Sequence, residues 1–296
     1  MNILITGGTG FVGSNLSQVL TDKGHYVYIL TRSPDEQTNT DYTAFISYEH
    51  PVGNLPVIHA VINLAGDSLY GYWTKQKKKA IRTSRIETTQ KVIRMMEQME
   101  RKPDVFISGS AVGFYGTSED HIFTEQTVKP GKDFLADVVT EWEQTAKQAE
   151  QLGIRTVYTR FGVILGQKGA LPLMKLPVKM GAGGRIANGE QWVSWIHIDD
   201  VVGLIQFCMF NEHISGPVNV TAPYPRRNKD FTRVLADVLN RPFWLPVPAM
   251  LVRMAIGEMS VLITKGQFVL PQKAQTYHYS FSFPYLKEAL RQTERH

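Results

Sequence analysis

Residues 2–13 read NILITGGTGFVG, and the way this stretch is built decides the fold. Asn2–Thr6 (NILIT) is a short apolar run of strand character that enters a glycine-rich turn directly. Within Thr6-Gly7-Gly8-Thr9-Gly10-Phe11-Val12-Gly13, the glycines 7, 10 and 13 fall at G-x-x-G-x-x-G spacing. Gly7 permits the tight turn off the strand, Gly10 removes a side chain where main chain must approach a pyrophosphate, and Gly13 lets the next helix pack on the sheet. That helix would offer its free N–H groups and the positive end of its dipole to phosphates. A glycine motif alone says little; a strand before it and a helix after it is the context that gives it meaning.

Outward from the turn, Ser14–Lys23 is helix-like and stops at Gly24, and Tyr26–Leu30 is the next strand, which completes a βαβ unit. His59–Leu64 reads as a strand running into Ala65-Gly66. Lys77–Met99 is a long amphipathic helix with Ile81, Ile86, Val92, Ile93 and Met96 near helical spacing. Asp104–Ser108 is a strand ending at Ser108-Gly109-Ser110. Phe134–Gln151 is helical up to Gly153, and Thr156–Arg160 is a further strand. Strands alternating with helices imply an α/β fold, a Rossmann-type doubly wound parallel sheet.

Residues 166–190 are rich in Gly and Pro and read as a pocket-shaping loop with a short helix. Trp192–Asp200 returns to strand and then helix, with Asp199 or Asp200 as N-cap. From Gly216 onward, prolines, aromatics and short helices suggest a small C-terminal domain. The expected division is a dinucleotide-binding Rossmann domain over 1–165 and 191–217, and a smaller substrate-binding, C-terminal domain over 166–190 and 218–296.

The end of the second strand selects the dinucleotide. An NAD site wants a carboxylate there for the ribose 2′-hydroxyl, and an NADP site wants a cation for the 2′-phosphate. The sequence is YILTRSP, so Arg32 stands where the acid would be, while Asp35 and Glu36 come only after Pro34. Arg32 with Ser33 favours NADP(H), with NAD(H) as the alternative. Asn63-Leu64-Ala65-Gly66 should line the path from adenosine to nicotinamide.

Composition narrows the class. Of 296 residues, 43% are hydrophobic and 20% charged, as in an ordinary globular protein. No apolar run reaches the roughly 18 residues a membrane span needs, and the start shows no signal-peptide pattern. The single cysteine, Cys208, excludes intramolecular disulfides; it reads as a buried thiol and fits a reducing cytoplasm. The net charge is +5, but its densest cluster, Lys75 to Lys79 with Arg82 and Arg85, reads as a solvated helix face. No zinc-finger spacing and no stacking-aromatic RNA motif accompanies it, so no nucleic-acid partner is expected. The eight histidines show no metal-ligand spacing, and no metal is expected.

NLAG (63–66), Trp73-Thr74, Ser84-Arg85, Thr88-Thr89, SGSAVGFYG (108–116), Trp142-Glu143, RFGVILG (160–166) and WVSWIHIDDVV (192–202) together carry a resemblance. The chain resembles the extended short-chain dehydrogenase/reductases of the NAD-dependent epimerase/dehydratase group. Within it, the chain is similar to the YfcH-like epimerase family proteins with a C-terminal DUF1731 module. Pro246–Pro248, Gly257-Glu258-Met259, Gly266-Gln267, Val269-Leu270-Pro271 and FSFPYLKEAL (281–290) fit that module. The resemblance implies a small-molecule substrate such as a nucleotide sugar, epimerase or oxidoreductase chemistry and, by analogy alone, a homodimer.

The resemblance also implies a Ser or Thr that orients a substrate oxygen, a Tyr acid/base and a Lys four residues later. Ser108 and Ser110 stand where the serine belongs. With Glu143 as helix landmark, the Tyr position falls at Leu135 and the Lys position at Val139, and neither side chain can move a proton. Tyr115, on the loop after the serines, reads either as a substitute acid/base or as pocket wall. Glu125 resembles a pocket-lining glutamate. Arg160 reads either as a cation for a substrate carboxylate or phosphate, or as half of a structural salt bridge. His197 reads as a satisfied strand-end histidine, Asp133 and Asp137 as a solvated helix face, and Met250, Met254 and Met259 as core filler. Two functions follow: an NADP-dependent enzyme with non-standard acid/base groups, or a non-catalytic NADP(H)-binding redox sensor.

Overall fold

Ile3, Leu4 and Ile5 are all completely buried, so the first strand is covered on both faces, as parallel sheets require. In the computed structural model, which describes residues 1–294, this strand is an inner strand of a seven-stranded sheet. Its strands are β1 (Asn2–Thr6), β2 (Tyr26–Leu30), β3 (Thr43–Ile46), β4 (Ala60–Asn63), β5 (Val105–Ala111), β6 (Arg155–Phe161) and β7 (Gly216–Val220). They lie in the order β7-β6-β5-β4-β1-β2-β3, and every neighbouring pair is parallel. In register, Ile3 faces Val27 on one side and Ala60 on the other. The chain order reverses between β1 and β4. A crevice therefore opens above their C-terminal ends, the place where doubly wound sheets bind ligands.

Alternation along the strands feeds two cores. On one face Ile5 and Ile62 pack with Leu16 and Leu20 of α1 (Phe11–Asp22) and with Val201 and Ile205 of the helix Ile198–Phe210. On the other, Leu4, Val61 and Phe106 pack with Val92 and Met96 of α2 (Lys75–Gln98) and Ala146 of α3 (Phe134–Ala146). A third core sits beyond the sheet, where α4 (Ala170–Lys179), Trp195, Phe231 and the C-terminal Leu286 and Leu290 meet.

Several elements differ from the sequence expectation. The long helix starts at Lys75 because the Thr74 side chain accepts the Lys77 N–H and caps it. α3 gives way after Ala146 to a tighter 3₁₀ turn ending at Gly153, whose φ is +76°. The helix Ile198–Phe210, here α5, is capped not by Asp199 or Asp200 but by His197, whose ring Nδ1 accepts the Asp199 N–H at 3.2 Å. Asp200 instead accepts the N–H groups of Ser282 and Phe283. The boundary expected at residue 217 falls inside β7.

The helix Ala249–Ile256 has no buried residue; Met250 and Met254 are 72% and 69% exposed, so only Met259 is core filler. Cys208 is buried, and burial pushes its thiol up to about 12. Among the described residues no helix is long and apolar enough to cross a membrane, and no group of three or more His, Cys, Asp or Glu is placed to hold a metal.

Candidate cofactor and substrate crevice

The glycine turn is held by its own main chain. Gly7 sits at φ +69°, and a Cβ there would come within 2.8 Å of the Leu64 carbonyl carbon. A Cβ on Gly13 would collide with the Gly7 carbonyl oxygen. That oxygen accepts the Gly10 N–H at 2.9 Å, and Gly10 O accepts the Ser14 N–H at 2.9 Å. Gly10 is the N-cap of α1, and no side chain caps this end. The first-turn N–H groups of Phe11, Val12 and Gly13 therefore have no helical partner and no capping side chain. Thr9 and Gly10 are exposed above them. The Phe11 ring packs where Cβ atoms on Gly166 and Gly169 would be, which seals the turn against the following loop. These features fit a dinucleotide pyrophosphate.

A buried polar chain joins this turn to the end of β4. Thr6 Oγ1 donates to Asn63 Oδ1 at 2.7 Å and accepts the Ala65 N–H at 3.1 Å, while Leu64 N donates to Thr6 O. Asn63 Nδ2 donates to Thr89 Oγ1 on α2, and the Trp142 indole on α3 donates to the same oxygen at 3.0 Å. Leu64, Ala65 and Gly66 are thereby fixed beside the turn, with Gly66 exposed. At the end of β2, Arg32 is exposed and has no ion-pair partner among the described residues; Ser33 is half-buried. Asp35 and Glu36 sit exposed on a 3₁₀ turn beyond it.

The candidate catalytic groups lie along the ends of β5 and β6. Ser108 is fully buried, its hydroxyl near the Gly109 carbonyl and the Asn63 amide. Ser110 Oγ donates to Glu143 Oε1 at 2.5 Å. Glu143 also takes Arg160 Nε on Oε1 at 2.8 Å and Nη2 on Oε2 at 2.7 Å. Arg160 Nη1 donates to the Tyr115 hydroxyl at 2.9 Å, and that hydroxyl donates to Asn219 Oδ1 at 2.7 Å. The guanidinium also lies 3.5 Å from the Phe114 ring centroid.

Burial lowers the Arg160 proton affinity, but the Glu143 bond and charge outweigh it and hold the guanidinium above its ordinary value. Burial raises the Tyr115 hydroxyl, with Arg160 and Asn219 pulling against that rise. The network brings Ser110, Arg160 and Tyr115 together and uses the groups each would offer a ligand. Leu135 and Val139, at the expected Tyr and Lys positions, approach Gly113 instead.

Glu125 stands apart. Its Oε1 accepts the main-chain N–H groups of Asn219 and Lys273, its Oε2 is buried without a partner, and burial raises its carboxyl above the usual range. Asp133 caps α3, its Oδ1 accepting the Leu135 and Ala136 N–H groups, while Asp137 is exposed. His197 is fully buried between Asp199 N and Gln292 Oε1.

Four polar residues of the crevice region had no chemical role in the sequence reading: Glu143, Thr89, Asn219 and Arg85. Of the expected solvated cluster, Lys77, Lys78 and Arg82 do form surface ion pairs, with Asp67, Glu258 and Glu141. Arg85 turns inward. The signal was present in its position: 81, 85, 89, 92 and 96 form one stripe, and all but Arg85 in that stripe are fully buried.

Comparison with known proteins agrees with this geometry. Residues 3–221 match the NAD dependent epimerase/dehydratase family, and residues 247–293 match a domain of unknown function, DUF1731. The chain is 49% identical over 295 residues to the epimerase family protein YfhF of Bacillus subtilis (strain 168), covering 99% of this chain and 97% of that one. It is 39% identical over 300 residues to the chloroplastic epimerase family protein SDR39U1 homolog of Arabidopsis thaliana, covering 98% and 86%. Among solved structures it is similar to human epimerase family protein SDR39U1 (isoform 2), crystallised with NADPH, with a TM-score of 0.90, 31% identity and full coverage of both chains.

Proposed function

The chain belongs to the NAD dependent epimerase/dehydratase family, and from that premise we propose that it binds NADP(H) and acts as an oxidoreductase or epimerase on a small molecule such as a nucleotide sugar. The observation that carries the cofactor assignment is the pairing of two features at the sheet reversal. The first-turn amides of α1 are free above Gly7–Gly13, and Arg32, at the end of β2, has no carboxylate partner among the described residues. The NADPH in the human relative supports the same choice. Thr6 to Gly13 would hold the pyrophosphate, Arg32 and Ser33 the 2′-phosphate, and Leu64, Ala65 and Gly66 the stretch toward the nicotinamide. Bound NADP(H) supplies a site that gives or takes a hydride.

This chain's own residues then orient the substrate. Ser110, at the end of β5, is the candidate to present a hydroxyl to the substrate oxygen, with Ser108 behind it. Tyr115 and Arg160 hold the floor through Glu143 and Asn219. Glu125 lies on the side of the C-terminal segment, where a Lys273 N–H meets it. A reducing cytoplasm suits the single buried thiol.

A second reading has one observation in its favour: the Ser110 and Tyr115 hydroxyls are both engaged in a closed network, and Leu135 and Val139 cannot move protons. On that reading the chain senses the redox state of NADP(H) without turnover. Titration with NADPH and NADH, followed by a screen of nucleotide sugars and carbonyl compounds for loss of nicotinamide absorbance, separates the two. NADPH-dependent turnover that survives purification supports the enzyme; tight NADPH binding without turnover on any substrate supports the sensor. Absence of NADPH binding removes both.

A further inference from the structure

Arg85 turns inward at the end of β4, and among the described residues no carboxylate bonds to it. It lies in the buried stripe of α2, one turn from Ile81 and one turn from Thr89. Its Nη1 donates to two neutral acceptors, Asp67 O at 3.1 Å and Ile81 O at 2.9 Å. Its Nε and Nη2 make no hydrogen bond with the described residues, and neither is among their buried unpartnered atoms, so that edge is not fully sealed from solvent. The nearest acid, Asp67, spends its carboxylate on Lys77 at 2.8 Å. The other buried arginines are different. Arg160 places its guanidinium on Glu143 and Tyr115, and Arg155 places both its Nη atoms on carbonyls at the end of α5.

The surroundings shape a slot for this edge. The Trp142 ring centroid lies 5.3 Å from the guanidinium carbon, and a Cβ on Gly66 would stand 3.2 Å from the same carbon. Gly66 is exposed and ends the NLAG stretch that leads away from the glycine turn. A guanidinium edge of Nε and Nη2 matches two oxygens of a carboxylate or phosphate. A half-buried charge bonded only to carbonyls, with the nearby Asp67 carboxylate shared with Lys77, gains when an anion reaches its free edge.

We infer that Arg85 receives an anionic group of the substrate, a carboxylate or a phosphate, through its Nε–Nη2 edge beside Gly66. The inference rests on the proposed NADP(H) reading, since it assigns the cofactor's pyrophosphate to the glycine turn and leaves Arg85 to the substrate.

The test follows the Arg85 Nε–H signal by nitrogen-15 NMR in the NADPH-loaded protein, assigned by its loss in Arg85→Lys and Arg85→Gln. UDP and glucuronate are the probes, with glucose as the neutral control. A shift with UDP identifies a phosphate ligand, a shift with glucuronate a carboxylate, and either supports the inference. Affinity for the active probe should fall about tenfold or more in Arg85→Gln, with NADPH affinity unchanged. No shift with either probe at millimolar concentration overturns the inference, as does an equal shift with glucose. A loss of NADPH affinity in both variants also overturns it, because the cation would then serve the cofactor. Failure of the unmodified protein to bind NADPH, measured separately, strikes the proposed function itself.

Discussion

Arg160 and Glu143 meet as a two-pronged pair, Nε on Oε1 and Nη2 on Oε2, with side chains only 4% and 11% exposed. They join β6 to α3, and Ser110 of β5 donates to the same carboxylate. Removing one partner strands a buried charge, which costs about 3–5 kcal/mol. Glu143→Gln and Arg160→Met should each lower the unfolding free energy, read from urea titration, by that amount. A loss below about 1 kcal/mol in either variant would show that the pair does not hold these elements together.

Tyr115 offers a separation of roles. Its hydroxyl accepts from Arg160 and donates to Asn219. Tyr115→Phe leaves a buried donor and a buried acceptor unpaired, at about 1–3 kcal/mol. If Tyr115 is a wall, the variant loses stability and keeps whatever turnover the protein shows at permissive temperature. Loss of turnover by about a hundredfold or more with an unchanged melting temperature would make it an acid/base.

Arg32 tests the cofactor choice. Arg32→Asp removes the cation and supplies the carboxylate that a 2′-hydroxyl prefers. NADPH affinity should drop about tenfold to a hundredfold while NADH affinity holds or improves. Calorimetric titration of both cofactors reads this, and equal losses would defeat the assignment.

Gly13→Ala places a Cβ against the Gly7 carbonyl oxygen, which is main chain and cannot swing aside. The turn must shift, at about 1–3 kcal/mol of stability, and the amides it aims move with it. NADPH binding should weaken more than the thermal stability loss explains; intact binding would mean that the turn does not grip the cofactor.

His197 sets an acid limit. Burial holds its imidazole below the ordinary 6.5, against smaller opposing pulls from Asp199, Gln292 and Asp200. The ring is neutral in the folded chain: Nδ1 accepts from Asp199 N, and Nε2 donates to Gln292. Its contribution is complete above 6.5 and is lost as pH falls from there toward the lower folded value, because the unfolded chain takes up the proton first. Urea midpoints at about pH 7.5 and about pH 5.5 should diverge in the unmodified protein and converge in His197→Gln. An identical pH slope in the two proteins would rule the ring out.

The periodicities that mark β1, α1, β2, β4 and β5 come from neighbours close in sequence, so these elements and their parallel order were legible in the residues. The inward turn of Arg85 was legible only in its place on the apolar stripe, a signal its residue type masks, since a charge in an amphipathic helix ordinarily faces water and its companions Lys77, Lys78 and Arg82 do so. The Arg160–Tyr115–Asn219 line, which joins residues up to 104 positions apart, was not legible. The cap on α5 misled because an aspartate is the commoner N-cap, and only the buried position of His197 leaves its ring nitrogen to do that work. The exposure of Met250 and Met254 escaped for a related reason: an apolar helix is ordinarily covered, and only tertiary packing reveals which ones are not.

That uncovered helix, Ala249–Ile256, is tied to the start of α2 through the Tyr72 hydroxyl on Ala255 O and through Lys78 on Glu258 just beyond it. With no buried residue of its own it can peel away at little cost to the sheet, so its amides should exchange with deuterium far sooner than those of β1. Its two bare thioethers, like that of Met180, also stand open to peroxide. Their conversion to sulfoxide would tag this helix while leaving the folded centre intact.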